Sequence, residues 1–547
     1  MVSINTEGLT KLGKKLENPY TVENMRKAQE NLRTRGQSSE FNVRTTHLYL
    51  KFNPQDEEEL DLLKSDTTLE LYDYPLDYEI EEGSVSYHDP KKPIGKPTYQ
   101  YVAVKVDKKL PRLAYEVLAK LYIPEEDGQI ANGRGATNPS VAVLVDEALK
   151  ITNNLEEEIK EDKNGRRASW WTPAGTIRVW DDVVGETTIT EKEFDHWEYY
   201  PCDDGDIIIE KIVAPAECKR PIFRYVTRTI DGCLIPIEGV KVRARRWFTT
   251  YIGYTNENGN FNLVFRFKHP ANYSIKWESS KYDIRDGEFF QAYYNGPKQK
   301  GNWNLDINGG KSLRFATIHR AAFRYHFQNI GGLKRPNIWN NLKIAYKDKS
   351  GTGINWGNNW QYFLVGGAGT LMPNIKIWGK EDDGDYRPTN DVFSTTIHEI
   401  GHTSHINLMN AGLIQYGQVS KIIYESWSNA LEWHITRIEY VERGELNYDN
   451  PADNTAVQVD NMQWWDSSDN HEYTPLFVDL TDIFNQNVER GVGPIDEING
   501  YTMGGIESGF LKHVYGLSSL KDKLKANKPS GVTDQQIDEY LSYFFSL

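Results

Sequence analysis

The chain has 547 residues, more than one ordinary hydrophobic core organises, so three or four domains are expected. A formal net charge of −15 at pH 7 argues against nucleic acid as a partner, because phosphate binding needs a basic surface. With 39% hydrophobic and 26% charged residues the composition is globular, and no apolar run approaches the ~18–20 residues that span a bilayer.

The first residues, Met1 to Glu7, lack the apolar region of a signal peptide. That fits a cytoplasmic protein, and equally a mature chain whose signal has been removed. Residues 1–45 read as a polar arm with one helix over Val22–Arg33. Residues 46–160 read as an α+β domain that is either accessory or an inhibitory pro-segment. Its predicted strands are His47–Phe52, Leu69–Tyr72 and Tyr99–Val106, and its predicted helices Asp56–Lys64, Tyr115–Tyr122 and Ser140–Asn153.

Residues 161–300 turn β-rich, with strands predicted at Gly175–Trp180, Pro221–Val226, Gly239–Phe248 and Asn262–Phe267. Asn/Gly turns between them indicate a β-sandwich over about 215–285. Lys241, Arg243, Arg245 and Arg246 read as a solvated strand face in preference to a basic patch. Cys202, Cys218 and Cys233 lack the paired spacing of a zinc cluster, leaving either one disulfide with a spare thiol or three thiols.

Residues 301–445 carry the chemistry. A helix is predicted at Leu313–Gln328, whose His319 and His326 read as core or polar-face histidines. Strands follow at Asn341–Tyr346, Trp360–Gly367 and Pro373–Trp378. Then comes Thr395–His405, in which His398, Glu399 and His402 spell H-E-x-x-H. Residues four apart lie one above the other on a helix, so both imidazoles reach one metal ion with a carboxylate beside them. The apolar spacing of Val392, Phe393, Thr396, Ile397 and Ile400 supports a core-packed helix, with Thr389, Asn390 or Asp391 as N-cap. Gly401 costs helix propensity and lets another backbone approach closely.

A second helix is predicted over Lys421–Trp433. Glu425 lies within the distance a helix–turn–helix return requires and is the preferred third ligand. Glu432 is its rival, and Asn429 follows Glu425 by one turn. A metzincin would need glycine where His405 stands and histidine where Leu408 stands, which excludes that family. The pattern resembles the gluzincins, the thermolysin-like clan of zinc metallopeptidases.

The resemblance implies a multidomain α+β protein with a zincin-like catalytic domain and a helical C-terminal subdomain at 446–547, its helices at Thr474–Phe484, Gly505–Tyr515 and Thr533–Phe545. It implies Zn2+ on His398, His402 and Glu425, with Glu399 as general base. The acidic residue that orients the first histidine in that family is replaced here by Asn429. An oxyanion stabiliser would come from Tyr424, His471, Tyr473 or Tyr501. A strand of Asn374, Ile375, Lys376, Ile377 and Trp378 would lie at the sheet edge and pair with an extended peptide, and Gly366–Gly369 would rim the cleft. Separately, Pro236–Leu263 resembles the carboxypeptidase-regulatory-like β-sandwich, an accessory module.

The function these resemblances imply is hydrolysis of a protein or peptide substrate, with secretion or display at the cell surface. Two alternatives stay open: a zincin-like surface or binding protein with little proteolytic activity, and a zinc hydrolase acting on modified or cell-wall peptides.

Overall fold

Asp56 accepts the Glu59 amide at 3.0 Å and so starts the helix α2 (Glu57–Ser65), where the sequence places one. The computed structural model describes residues 9–37, 41–124, 139–155, 170–201, 217–287, 290–336, 341–351, 354–355, 374–409, 417–445, 472–483 and 493–547. Before α2 come β1 (Leu12–Lys15), α1 (Val22–Thr34) and β2 (His47–Phe52). After it come β3 (Tyr78–Ile80), β4 (Gln100–Lys105), β5 (Tyr115–Leu121) and α3 (Pro139–Ile151). The strand order β4-β2-β5 is antiparallel throughout.

The helix expected at Tyr115–Tyr122 is thus a strand. Its apolar residues satisfy both periods, and pairing of Tyr115–Leu121 with β2 decides the matter. Leu69–Tyr72 forms no ladder beyond the single Tyr72–Tyr101 bridge, although Leu69, Leu71 and Tyr72 are buried.

The β-rich region is built from β6 (Ala174–Pro201), β7 (Glu217–Pro236), β8 (Lys241–Arg246), β9 (Thr249–Tyr254), β10 (Asn260–Asn262), β11 (Ala271–Lys276), β12 (Tyr282–Asp286), β13 (Phe290–Gln291), β14 (Tyr293–Gln299) and β15 (Trp303–Ile307). One sheet runs β10-β6-β15 with β7 on β6, the other β14-β11-β8-β9. Rings from the two sheets meet: Tyr273 lies 6.1 Å from Phe261 and 5.2 Å from Trp303, between centroids. The sandwich therefore begins at Ala174 and ends at Ile307, wider than 215–285, and the strand expected at Asn262–Phe267 stops at Asn262. Cys233 is a free thiol.

The basic strand is not a solvated face. Lys241, Arg243, Arg245 and Arg246 are covered by the N-terminal region and hold fixed partners. Lys241 and Arg243 pair with Glu70 at 2.8 and 3.1 Å, Arg245 donates to Leu76 O at 3.0 Å, and Arg246 to Pro270 O at 2.9 Å. The same seam contains Lys64 with Asp283 at 2.7 Å, Arg285 with Glu57 at 2.7 Å and Lys343 with Asp61 at 2.7 Å. Breaking any one of these pairs leaves its partner poorly solvated, so the seam fastens residues 57–70 to the rest of the fold.

The sheet behind the metal motif has the order β13-β12-β16-β18-β17, with β16 at Leu342–Ser350, β17 at Ile354–Asn355 and β18 at Ile375–Lys380. Strands β12, β16 and β18 are parallel, so this sheet crosses the domain boundary expected at 300/301. Helix α4 (Gly310–Phe327) and the motif helix α5 (Thr389–Leu408) pack on the same core. Helix α6 (Lys421–Glu442) runs on past the predicted Trp433.

Strand β18 is not the outer strand at Ile375 and Lys376, which pair with Asn355 and Ile354 of β17, while Asn374 pairs with Lys343 at 2.9 Å. Peptide pairing at those positions is thus pre-empted by the protein's own backbone. The expected strand Trp360–Gly367 and the rim Gly366–Gly369 lie outside the described residues.

The C-terminal helices are α7 (Met503–Gly509), α8 (Leu517–Ala526) and α9 (Asp534–Ser546). Residues Thr474–Ile483 form successive turns and no helix; Val478 and Thr481 donate to Pro475 O and Val478 O at 2.8 and 2.9 Å. Among the described residues no helix is long and apolar enough to cross a membrane.

Candidate metal centre

Helix α5 is anchored at its start from across the fold. Thr389 N–H donates to Asp182 Oδ1 at 2.9 Å, and the Thr389 hydroxyl donates to the same carboxylate. A carboxylate at a helix N-terminus satisfies orphan donors and complements the dipole. The cap expected from Thr389, Asn390 or Asp391 is thus supplied by Asp182. The preceding Asp181 is fully buried against Arg320 at 2.6 Å and the Tyr440 hydroxyl at 3.0 Å, tying α4, α5 and α6 to one stretch of β6.

Gly401 faces α6. A Cβ there would lie 3.1 Å from Leu431 Cδ1 and 3.3 Å from Ser428 Oγ, so the missing side chain is what lets the two helices close. At that separation three donor atoms converge. His398 Nε2 and His402 Nε2 are 3.0 Å apart, and Glu425 Oε2 lies 3.2 and 3.1 Å from them.

Tetrahedral zinc with ligands at ~2.0–2.1 Å separates them by ~3.3–3.4 Å, so the triangle matches one small ion with little adjustment. Among the described residues, His398, His402 and Glu425 are the group whose donor atoms can hold a metal, and all three residues are buried. Two imidazoles and one carboxylate leave a fourth position for water or substrate.

The outward nitrogens are also committed. His398 Nδ1 lies 3.0 Å from Glu432 Oε2, an acceptor, and His402 Nδ1 lies 2.9 Å from Ser428 Oγ. Both bonds turn each Nε2 lone pair toward the ligand point. The orienting position expected of Asn429 therefore belongs to Glu432, which had stood as the rival metal ligand. Ser428 was missed altogether. Glu425, Ser428 and Glu432 recur at three and seven residues, a polar stripe among apolar neighbours that a helical projection of Lys421–Glu442 would have exposed.

The electrostatics follow from burial. Glu399 is buried, and desolvation, reinforced by the Glu425 and Glu432 carboxylates and only partly offset by His398, pushes its carboxyl up to about 8. Burial also disfavours the Glu425 carboxylate, but His402 and His398 outweigh it and hold that group well below the usual carboxylate range. The two glutamates are thereby driven apart, Glu425 held ionised and Glu399 raised toward the protonated form.

Of the four expected oxyanion stabilisers, two flank the centre. The Tyr473 ring lies over His398 at 6.0 Å and 28°, and the Tyr424 ring stands edge-on to His402 at 5.7 Å and 73°. Burial raises both phenols, Tyr424 to about 12, and Glu425 adds to each shift. Tyr473 is held by its neighbour: Thr474 Oγ1 meets Ser426 Oγ of α6 at 2.7 Å. Tyr501 is elsewhere, its hydroxyl donating to Leu524 O at 2.9 Å. His471 lies outside the described residues.

His405, next on the motif helix, is buried and has its imidazole pushed down to about 3 by desolvation, with His402 adding to the shift. It is not among the converging donors.

No family model, no curated protein and no solved structure matches this chain.

Proposed function

We propose that the protein is a zinc-dependent peptidase of gluzincin type. The observation that carries this reading is the triangle of His398 Nε2, His402 Nε2 and Glu425 Oε2, with both histidines braced from behind and Glu399 beside them. Zinc bound there would supply Lewis-acid polarisation of the substrate carbonyl and lower the pKa of water.

The residues do the rest. Glu399 takes a proton from the attacking water and returns it to the leaving amine, a role suited to a carboxyl raised toward neutrality. Glu432 and Ser428 hold the two Nδ1 atoms from behind and so aim each Nε2 at the shared point. Tyr473, and Tyr424 on the other flank, are the phenols placed to donate to a developing oxyanion.

The test is Glu399→Gln assayed on unfolded protein substrates. Turnover should fall by at least about 1000-fold while one zinc per chain is retained. Near-wild-type hydrolysis in that variant overturns the assigned role. A wild-type protein with full zinc that cleaves no unfolded protein favours the binding-protein reading, and product mass spectrometry identifies a hydrolase acting on modified peptides.

A further inference from the structure

A second cavity shares no lining residue with the metal centre. It lies between helix α3 and the sandwich, has a volume of about 40 Å³ and opens to solvent on one side. One water position takes ~10–15 Å³, so a group of a few heavy atoms fits and a large ligand does not. The charged lining comes from three places: Asp146 on α3, Arg246 on β8, and Arg266, Lys268 and His269 in the segment before β11.

The walls are fixed by the fold itself. Phe267 exchanges both backbone hydrogen bonds with Trp171 at 2.9 Å, and its ring packs 4.8 Å from that of Tyr251, between centroids. That anchor sets Arg266 and Lys268, on either side of Phe267, at the cavity. Asp146, the one carboxylate of the lining among the described residues, is already shared by Lys268 and, at 2.8 Å, by His269 Nε2. Arg246 is 8% exposed. Its Nη1 donates to Pro270 O at 2.9 Å, its Nε meets no acceptor, and no carboxylate of the described residues pairs with it.

A buried cation without a counter-ion is costly, and an oxyanion bound between a guanidinium and an ammonium relieves that cost. His269 registers the surplus of positive charge. Burial, reinforced by Arg246 and Lys268 and opposed by Asp146, holds its imidazole below the usual value, so it adds no charge near neutral pH. The small volume and the charged donors together select a compact oxyanion. We propose that this cavity binds a phosphate group, held by Arg246 and Lys268 and bridging α3 to the sandwich.

The probe is inorganic phosphate, titrated calorimetrically into the full-length chain before and after removal of metal with 1,10-phenanthroline, because phosphate also ligates zinc. Saturable binding is expected that survives the chelator and raises the melting temperature. Affinity should fall about tenfold or more in Arg246→Gln and in Lys268→Ala, and chloride should bind at least about tenfold more weakly than phosphate. Glycerol phosphate binding as tightly as the free ion identifies the terminal phosphate of a larger molecule as the ligand; binding of the free ion alone identifies inorganic phosphate. Absence of saturable binding, its loss with the metal, chloride binding as tightly as phosphate, or unchanged affinity in Lys268→Ala each overturns the proposal. Lys268 is partly exposed, so its variant keeps the test decisive if Arg246→Gln does not fold.

Discussion

Helix α4 buries two histidines and α5 three on the same core, yet the α4 pair and the His398–His402 pair sit among opposite partners. On α4, His319 places one ring nitrogen 3.0 Å from the Tyr282 hydroxyl and the other 2.9 Å from Glu238 O, while His326 Nδ1 lies 3.1 Å from Pro336 O. Those neighbours are neutral, and burial pushes both imidazoles down to about 4. On α5, His398 and His402 meet carboxylates, and their second nitrogens converge on a single point. The difference is partner chemistry, since burial is common to all four. A histidine becomes a metal ligand where acceptors fix one nitrogen and leave the other a shared vertex.

The largest effect that tests this contrast is loss of the third vertex. Glu425→Ala should abolish stoichiometric zinc, read by metal analysis of the purified chain, whereas His319→Gln should retain it. Zinc retained at one per chain in Glu425→Ala would break the assignment.

Next comes the bracing carboxylate. Glu432→Gln keeps the shape but weakens the pull on His398 Nδ1, and zinc affinity should drop about 10–100-fold by competition with a chelator. Asn429→Ala should change that affinity far less, and the reverse ranking would restore Asn429 to the orienting role.

The α4 pair should appear in acid stability. Its folded pKa values lie below the ordinary value near 6.5, so the unfolded chain takes up protons first as pH falls. The stability these neutral rings contribute is complete above about pH 6.5 and declines toward pH 4, by roughly 3 kcal/mol for each histidine. Urea unfolding of the wild type and of His319→Gln between pH 7 and pH 4.5 should show a shallower decline in the variant. Parallel curves would mean that His319 is not neutral in the fold.

The smallest effect is at the helix contact. Gly401→Ala gains about 1 kcal/mol of helix propensity but forces a methyl against Leu431 and Ser428, so net stability should change little or fall by about 1–2 kcal/mol. Zinc affinity should fall with it, because Ser428 braces His402.

Much of the centre was legible without coordinates. His398, Glu399 and His402 stand out because one helical turn is a local relation, and Glu425 follows from the short return to a second helix. The bracing pattern was not, because Asn429 matched a family template by position while Glu432 matched this chain by geometry. Tyr115–Leu121 was misread because its apolar residues fit two periods and only pairing with β2 chooses between them. The basic strand was misread for a related reason. Lys241 and Arg243 look solvated until Glu70, far away in the chain, is brought against them.

What the sequence alone determined is therefore what lies within a turn or two of itself: the shared face of His398 and His402 on α5 and the apolar stripe of α4. What only the tertiary structure decided is which distant groups become neighbours: Asp182 on the start of α5, Glu432 and Ser428 behind the histidines, Tyr473 over His398, and β17 beside β18. Local order follows from backbone periodicity, which each residue type biases directly. Burial and charge partnership depend on contacts between segments far outside one helical turn, from 26 residues apart for Ser428 and His402 to 207 for Asp182 and Thr389, and no local pattern encodes them.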